Sequence, residues 1–206
     1  MDKAKNVEEY IAMQRAAIAS NPECGTSHYN LAVALIGQKN FDEAEKELND
    51  AIGCSPSLAE AYVQLGGICL QRGDLDGCLY YNTQAINSRA GFSEGYGNIG
   101  FIHLQKGDFD KAVAALKKAI IYNSNFLQAY TTLANAYLMQ NLIIESIAAN
   151  LKAIEIEPNF AVAHNNLAIA YMQNDQFDKA IEHCDIAVKL GYAVAPEIIK
   201  ELELHR

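Results

Sequence analysis

Asn30, Gln64, Asn98 and Asn166 set primary amides at multiples of a 34-residue interval. Each amide carries two donor hydrogens and an acceptor, so such a row suits hydrogen bonding to the backbone of an extended chain. Residue types able to do covalent, redox or metal chemistry are present but wrongly spaced for it. Gly95, Gly97 and Gly100 spell GxGxxG, yet a dinucleotide fingerprint needs a strand before it and a helix after it, and these glycines fall inside one helical pattern. His28 and His164 stand where other units carry tyrosine, as does His103, and each reads as a packed ring. His183 adjoins Cys184 in sequence but points to another helix face. None of the 5 cysteines forms a CxxC pair. Cys69, Cys78 and Cys184 read as small packing residues, Cys24 and Cys54 as more exposed ones near unit junctions. With no HExxH, P-loop, GxSxG or convergent carboxylate pair, the expectation is no enzyme, no cofactor and no metal.

The elements that must hold these amides follow from a strict beat. Ala51, Ala85, Ala119, Ala153 and Ala187 recur at that same interval, each followed by a β-branched residue: Ile52, Ile86, Ile120, Ile154, Val188. Counting units from Gly25, Ala59, Ser93, Leu127 and Ala161, the seventh position reads Leu31, Leu65, Ile99, Leu133, Leu167. The eighth is always small: Ala32, Gly66, Gly100, Ala134, Ala168. Apolar positions 4, 7, 8 and 11 have helical spacing, which predicts two helices of roughly 13 residues per unit. Gly73 and Gly107 end first helices, and Asp74 and Asp108 are expected to cap the second ones. Two of the three glycines at 95, 97 and 100 lack a register reason, so residues 89–100 are expected to be the softest joint, in preference to a place where a ligand backbone comes close. Leu142 and Ile144 should face outward at the fourth turn, either tucked against a neighbour or forming a small contact patch.

A 34-residue unit with Leu, a small residue, Tyr or His, then Phe41, Phe109 or Phe177, Ala, and Pro56 or Pro158 resembles the tetratricopeptide repeat (TPR) family. The resemblance covers residues 25–194 as five repeats, 25–58, 59–92, 93–126, 127–160 and 161–194. It departs in having no Trp, and in Ala90, Ser124 and Tyr192 where Pro is usual. It implies an all-α, right-handed superhelical solenoid of antiparallel helix pairs, about twelve helices in a single domain over 1–206. Residues 1–24 then form a half-repeat whose second helix, 3–19, lacks its first-helix partner and either caps the array or docks on another molecule. Residues 195–206 form a capping helix, with Pro196 at its start and Ala195, Ile198, Ile199 and Leu202 on one face.

A helix turns about 100° per residue, so positions 2, 6, 9 and 13 of each first helix point away from the packing stripe, with 5 at its edge. In TPR-like stacks that side lines the concave surface. The expected peptide-binding residues there are Asn30, Gln64, Asn98, Asn166, Tyr29, Phe101, Gln105 and Asn135, with Glu60 and Glu94 the charges on this side. TPR domains that dock chaperone tails grip a carboxylate with Lys and Arg, which this side lacks. The asparagine row is similar to the inner ladder in the TPR superhelix of the O-linked N-acetylglucosamine transferase. The expected partner is therefore an extended, neutral or mildly basic segment of a protein, held by a non-catalytic scaffold or adaptor. The alternatives are a self-assembling scaffold, a homo-oligomer built through the N-terminal helix, and an accessory subunit of a larger enzyme.

Net charge is -9, and Lys111, Lys117 and Lys118 read as a solvated face, so nucleic acid is not an expected partner. Asp2, Lys3, Lys5, Glu8 and Glu9 break any apolar leader. No run approaches a membrane span, and an odd thiol count suits a reducing compartment, so a cytoplasmic location without membrane insertion is expected.

Overall fold

Five left-handed turns, one per repeat, make the helix pairs. In a computed structural model that describes residues 6–206, position 15 of every repeat has positive φ: Lys39 (60°), Gly73 (76°), Gly107 (77°), Asn141 (60°) and Asp175 (54°). The next residue then donates its N–H five residues back, as from Asn40 to Leu35 O, Asp74 to Cys69 O and Gln176 to Tyr171 O, each at 2.9 Å. This is the Schellman ending of a helix, which satisfies its last carbonyls and reverses the chain. Glycine adopts it freely, whereas Lys39, Asn141 and Asp175 hold it against their own preference. Sequence reading marks only the two glycine turns.

The resulting helices are α1 (Val7–Ser20), α2 (Gly25–Gly37), α3 (Phe41–Cys54), α4 (Ala59–Gln71), α5 (Leu75–Ser88) and α6 (Ser93–Gln105). They continue as α7 (Phe109–Tyr122), α8 (Leu127–Met139), α9 (Ile143–Ile156), α10 (Ala161–Gln173), α11 (Phe177–Lys189) and α12 (Pro196–Glu203). No strand occurs among the described residues. The expected second helix over 3–19 is α1; its residues 3–5 lie outside the described residues. Asn6 caps α1, its Oδ1 accepting from Glu9 N at 2.8 Å, and Pro196 opens α12 as expected.

Packing divides the chain into two compact units, Met1–Gly95 and Tyr96–Arg206. In the first unit, neighbours from α1 to α5 pack in sequence, each first helix against its own second helix and the second helix before it. Leu31, Leu35, Leu48, Leu65 and Ile68 fill that core, each such side chain contributing about 1.5–3 kcal/mol on burial. In the second unit, α7 to α12 follow the same rule, and α8 also touches α10. Leu116, Leu133, Leu167 and Leu202 are buried there. The register alanines Ala51, Ala85, Ala119, Ala153 and Ala187 are all 0% exposed.

Several expectations need correcting. Asp74 caps α5 through its Oδ1 and Gly77 N, at 2.8 Å. Asp108 does not cap α7: its Oδ2 is drawn instead to Lys111 Nζ (3.1 Å) and His103 Nδ1 (3.3 Å). Ala195 stands outside α12 and is exposed, because the apolar contact falls to Ile198, Ile199 and Leu202. Cys69 is only half-buried, whereas Cys78 and Cys184 are buried and Cys54 is exposed. Desolvation pushes the Cys78 thiol up to about 11. Ile144 is 63% exposed, so it is not tucked against a neighbour.

The glycines of α6 are there because neighbours occupy the space a Cβ would need. A Cβ would lie 2.7 Å from Ile86 Cγ2 at Gly95, 2.8 Å from Phe126 Cε1 at Gly97 and 2.4 Å from Leu116 Cγ at Gly100. Gly67 of α4 has nothing within 4 Å. Gly67→Ala should therefore stabilise the protein by about 1 kcal/mol, the helix-propensity difference. Gly100→Ala should destabilise it by about 1–3 kcal/mol through displaced Leu116. Paired urea-unfolding curves of the two variants check the opposite signs.

Candidate functional site

In the first unit a cavity opens beside the unpaired helix α1. About 680 Å³ opens between α1 and α2, lined by Asn6, Val7 and Tyr10 from α1 and by Tyr29, Asn30, Val33, Ala34, Gly37 and Gln38 along α2. None of these side chains is charged. Its cause is visible in the register: Tyr10 stands one full repeat before Ala44, at the small position where a second helix ordinarily meets the first helix of its own repeat. No such helix covers α1 among the described residues, so the tyrosine and the half-exposed Val7 line an open side instead. Tyr29 and Asn30, two of the residues expected to bind a peptide, line this cavity. The three α1 residues were missed, although a bulky Tyr10 in a small-residue register is the signal that could have found them.

Gly37 also borders a second cavity of about 340 Å³, formed with Lys39, Phe41 and the α4 residues Gln64, Gly67, Ile68 and Gln71. Gln64 hydrogen-bonds the Tyr29 phenol, whose pKa burial raises and this bond partly lowers. Tyr29, Asn30 and Gln64 are thus brought together on one side of α2 and α4. Glu60 on the same helix is paired with Arg89 at 2.7 Å, which offsets its charge.

The second unit presents Asn98, Phe101 and Gln105 on α6, Asn135 on α8 and Asn166 on α10. Phe101 is 37% exposed and Gln105 is exposed, while Asn98 and Asn135 are half-buried. Asn166 differs from expectation, being only 9% exposed, with Nδ2 buried and without a hydrogen-bond partner. Helix α10 buries more of its residues than α2, α4 or α8, and α8, α9 and α11 touch it. An unmatched buried amide hydrogen is costly, and a carbonyl oxygen reaching it would remove that cost.

His28 and His164 are buried, as expected, and His103 is half-buried; the two buried rings are also paired across helices. In the first repeat His28 Nε2 lies 2.9 Å from Pro22 O, and Nδ1 lies 2.6 Å from Glu47 Oε2. Burial alone would lower its pKa, but these two bonds outweigh it and raise it above the ordinary value. Asp50, one turn beyond Glu47, joins them, and the three ligand atoms lie within 4.8 Å of one another. In the fifth repeat the same register places His164 Nε2 2.9 Å from Pro158 O and His164 Nδ1 2.9 Å from His183 Nδ1. With His164 Nε2–H donating to the carbonyl, His164 Nδ1 is left to accept from His183 Nδ1–H. Tyr171 stacks on His183 with centroids 5.6 Å apart.

Comparison with known proteins adds the following. Family models described as tetratricopeptide repeat match residues 12–59 and 149–182, and one described as TPR repeat matches 100–141. Together they cover more than half of the chain. The chain is 33% identical over 76 residues to the TPR repeat-containing thioredoxin TTL4 of Arabidopsis thaliana, a stretch that is 37% of this chain and 11% of that protein. It therefore spans only about a tenth of that relative's length. Among solved structures, MamA protein is similar at 21% identity and TM-score 0.69, with 82% of this chain and 92% of that one covered. YrrB, described as a TPR protein with an unusual peptide-binding site, gives 19%, 0.67, 86% and 91%. The pilF protein of Pseudomonas aeruginosa gives 15%, 0.82, 98% and 90%. At these identities the structural likeness is one of fold.

Burial, and then the neighbouring His164, lowers the His183 pKa below its ordinary 6.5. The fold thus favours neutral His183: its contribution is fully present above about 6.5 and is lost as pH falls through the lower folded value. Urea-unfolding free energies of the wild type and His183→Ala, measured from pH 7.5 to 5, should show the wild type losing its advantage on the acid side. A difference independent of pH would contradict the pairing.

Proposed function

Because the chain belongs to the tetratricopeptide repeat family, we propose that it is a non-catalytic scaffold that binds an extended, neutral or mildly basic segment of a partner protein. The observation that carries this reading is the uncharged cavity beside α2, where Tyr29, Val33 and Gly37 offer an apolar seat next to the Asn30 and Gln64 amides. An amide bonds a peptide group through donor and acceptor alike, whatever the ligand's side chains. The apolar seat selects one anchoring residue, and the lining of the cavity between α1 and α2 holds no Lys or Arg to grip a terminal carboxylate, Lys39 bordering only the neighbouring cavity. In the second unit, Asn98 and Asn135 would serve the ligand backbone in the same way, Asn166 Nδ2 would take a peptide carbonyl, and Phe101 would give an apolar contact beside Gln105.

No helix among the described residues is long and apolar enough to cross a membrane. A cytoplasmic scaffold is the reading we favour.

Gly37 provides the cleanest probe, since a Cβ there meets nothing within 4 Å, so Gly37→Leu fills the cavity without disturbing the core. Peptides selected on the intact protein from a random library should bind Gly37→Leu about tenfold or more weakly, a loss of roughly 1.4 kcal/mol, at unchanged melting temperature. An Asn98→Ala/Asn166→Ala double variant, folded but unchanged in affinity, would count against the amides' role. Selection that enriches only acidic C-terminal tails would contradict the proposal as a whole.

A further inference from the structure

We infer that His28, Glu47 and Asp50 form a binding site for a divalent transition-metal ion of the zinc class, joining the two helices of the first repeat. His28 comes from α2, while Glu47 and Asp50 are three residues apart on one face of α3. One nitrogen and two carboxylate oxygens converge within 4.8 Å. That set is too nitrogenous for a calcium cage and lacks thiolate, and imidazole with carboxylates suits zinc, manganese or cobalt.

Three features make it more than a chance cluster of acids. First, Pro22 O takes His28 Nε2–H at 2.9 Å, which orients the ring and leaves Nδ1 facing the carboxylates. A backbone carbonyl in this role is the usual outer partner of a metal-bound histidine. Second, the His28 and Glu47 side chains are 8% and 13% exposed, so the nitrogen end of the site is shielded from water. Asp50 stands at the exposed edge, which gives an ion a way in. Third, the Asp50 carboxylate makes no ion pair or hydrogen bond among the described residues, so it can turn to an ion without breaking another contact.

Between Nδ1 and Oε2 there is now 2.6 Å, the span of a shared proton. Ligand bonds of about 2.1 Å in a tetrahedron separate donor atoms by roughly 3.4 Å, so an ion entering here must part Nδ1 from Oε2. Three protein ligands leave a fourth position for water or a partner's donor. The equivalent positions of the fifth repeat, His164 and His183, have Ile186 where Asp50 stands, so that pair lacks a third ligand.

The test is zinc titration by calorimetry on the full chain carrying Cys24→Ser and Cys54→Ser, which removes the nearby thiols as competing ligands. The expected result is one zinc ion per chain, with affinity falling about tenfold or more in Asp50→Asn and in Glu47→Gln. Asp50→Asn should keep the metal-free melting temperature, because its side chain is exposed and unbonded, while losing the rise that zinc gives the parent. A chain that takes up no zinc at millimolar concentration overturns the inference. So does uptake that survives either substitution, or uptake removed by His183→Ala instead.

Discussion

Two helices can lie side by side only as closely as the side chains between them permit, and this chain fixes that distance with alanine. Ala51, Ala85, Ala119, Ala153 and Ala187 are completely buried, and at another level of the hairpins Gly66 lies against Cys78 and Gly100 against Ala112. Leucine at the seventh position then fills the remaining space. The same alanines also define where second helices end: Ala51, Ala85, Ala119 and Ala153 each accept the N–H of the residue four positions on, at 2.8–3.1 Å. The last repeat departs from this. Gly191, with φ of 83°, turns the chain so that Tyr192 rather than residue 191 bonds Ala187 O, and the following segment swings round to seat α12.

Because packing consumes one side of each first helix, the other side is free to carry chemistry. In the first unit this freedom shows as two cavities that share Gly37, bordered by amides, a phenol and small apolar side chains. In the second, α10 is so enclosed that Asn166 keeps an unmatched hydrogen-bond donor at the edge of the core. Two further interior amides bond within their own helix, although Asn150 Oδ1 is left without a partner. Asn82 and Asn150 occupy the register place of Leu48 and Leu116, and each returns its Nδ2 to the carbonyl four residues back. Gly66 is glycine because a Cβ would stand 2.5 Å from Asn82 Nδ2.

The periodic features were legible in the sequence: the helix pair of each repeat, the lone α1, the short terminal α12 and the positions of the small residues. What escaped depends on contacts between residues far apart in the chain. Lys39, Asn141 and Asp175 take left-handed turns because five equivalent hairpins must close alike, which no local preference of lysine announces. Asp108 was expected to cap a helix, but an imidazole and an ammonium group compete for it. Angular reasoning alone put Asn30, Gln64 and Tyr29 on the side of the first helices away from the packing stripe. Tyr10 was not, since only the missing neighbour of α1 turns it from a packing residue into a cavity wall. His28 and Glu47 lie on different helices and match no spacing motif; the antiparallel hairpin joins them.

The account rests on five equivalent close contacts, so the most direct measurement is urea unfolding of leucine substitutions made singly at Ala51, Ala85, Ala119, Ala153 and Ala187. Each should lower stability by about 1–3 kcal/mol, since none of the five sites has exposed surface through which leucine could escape. A neutral result at the interior sites would mean that the helices do not meet where the alanines fall, and the register behind both the fold and the site would be wrong.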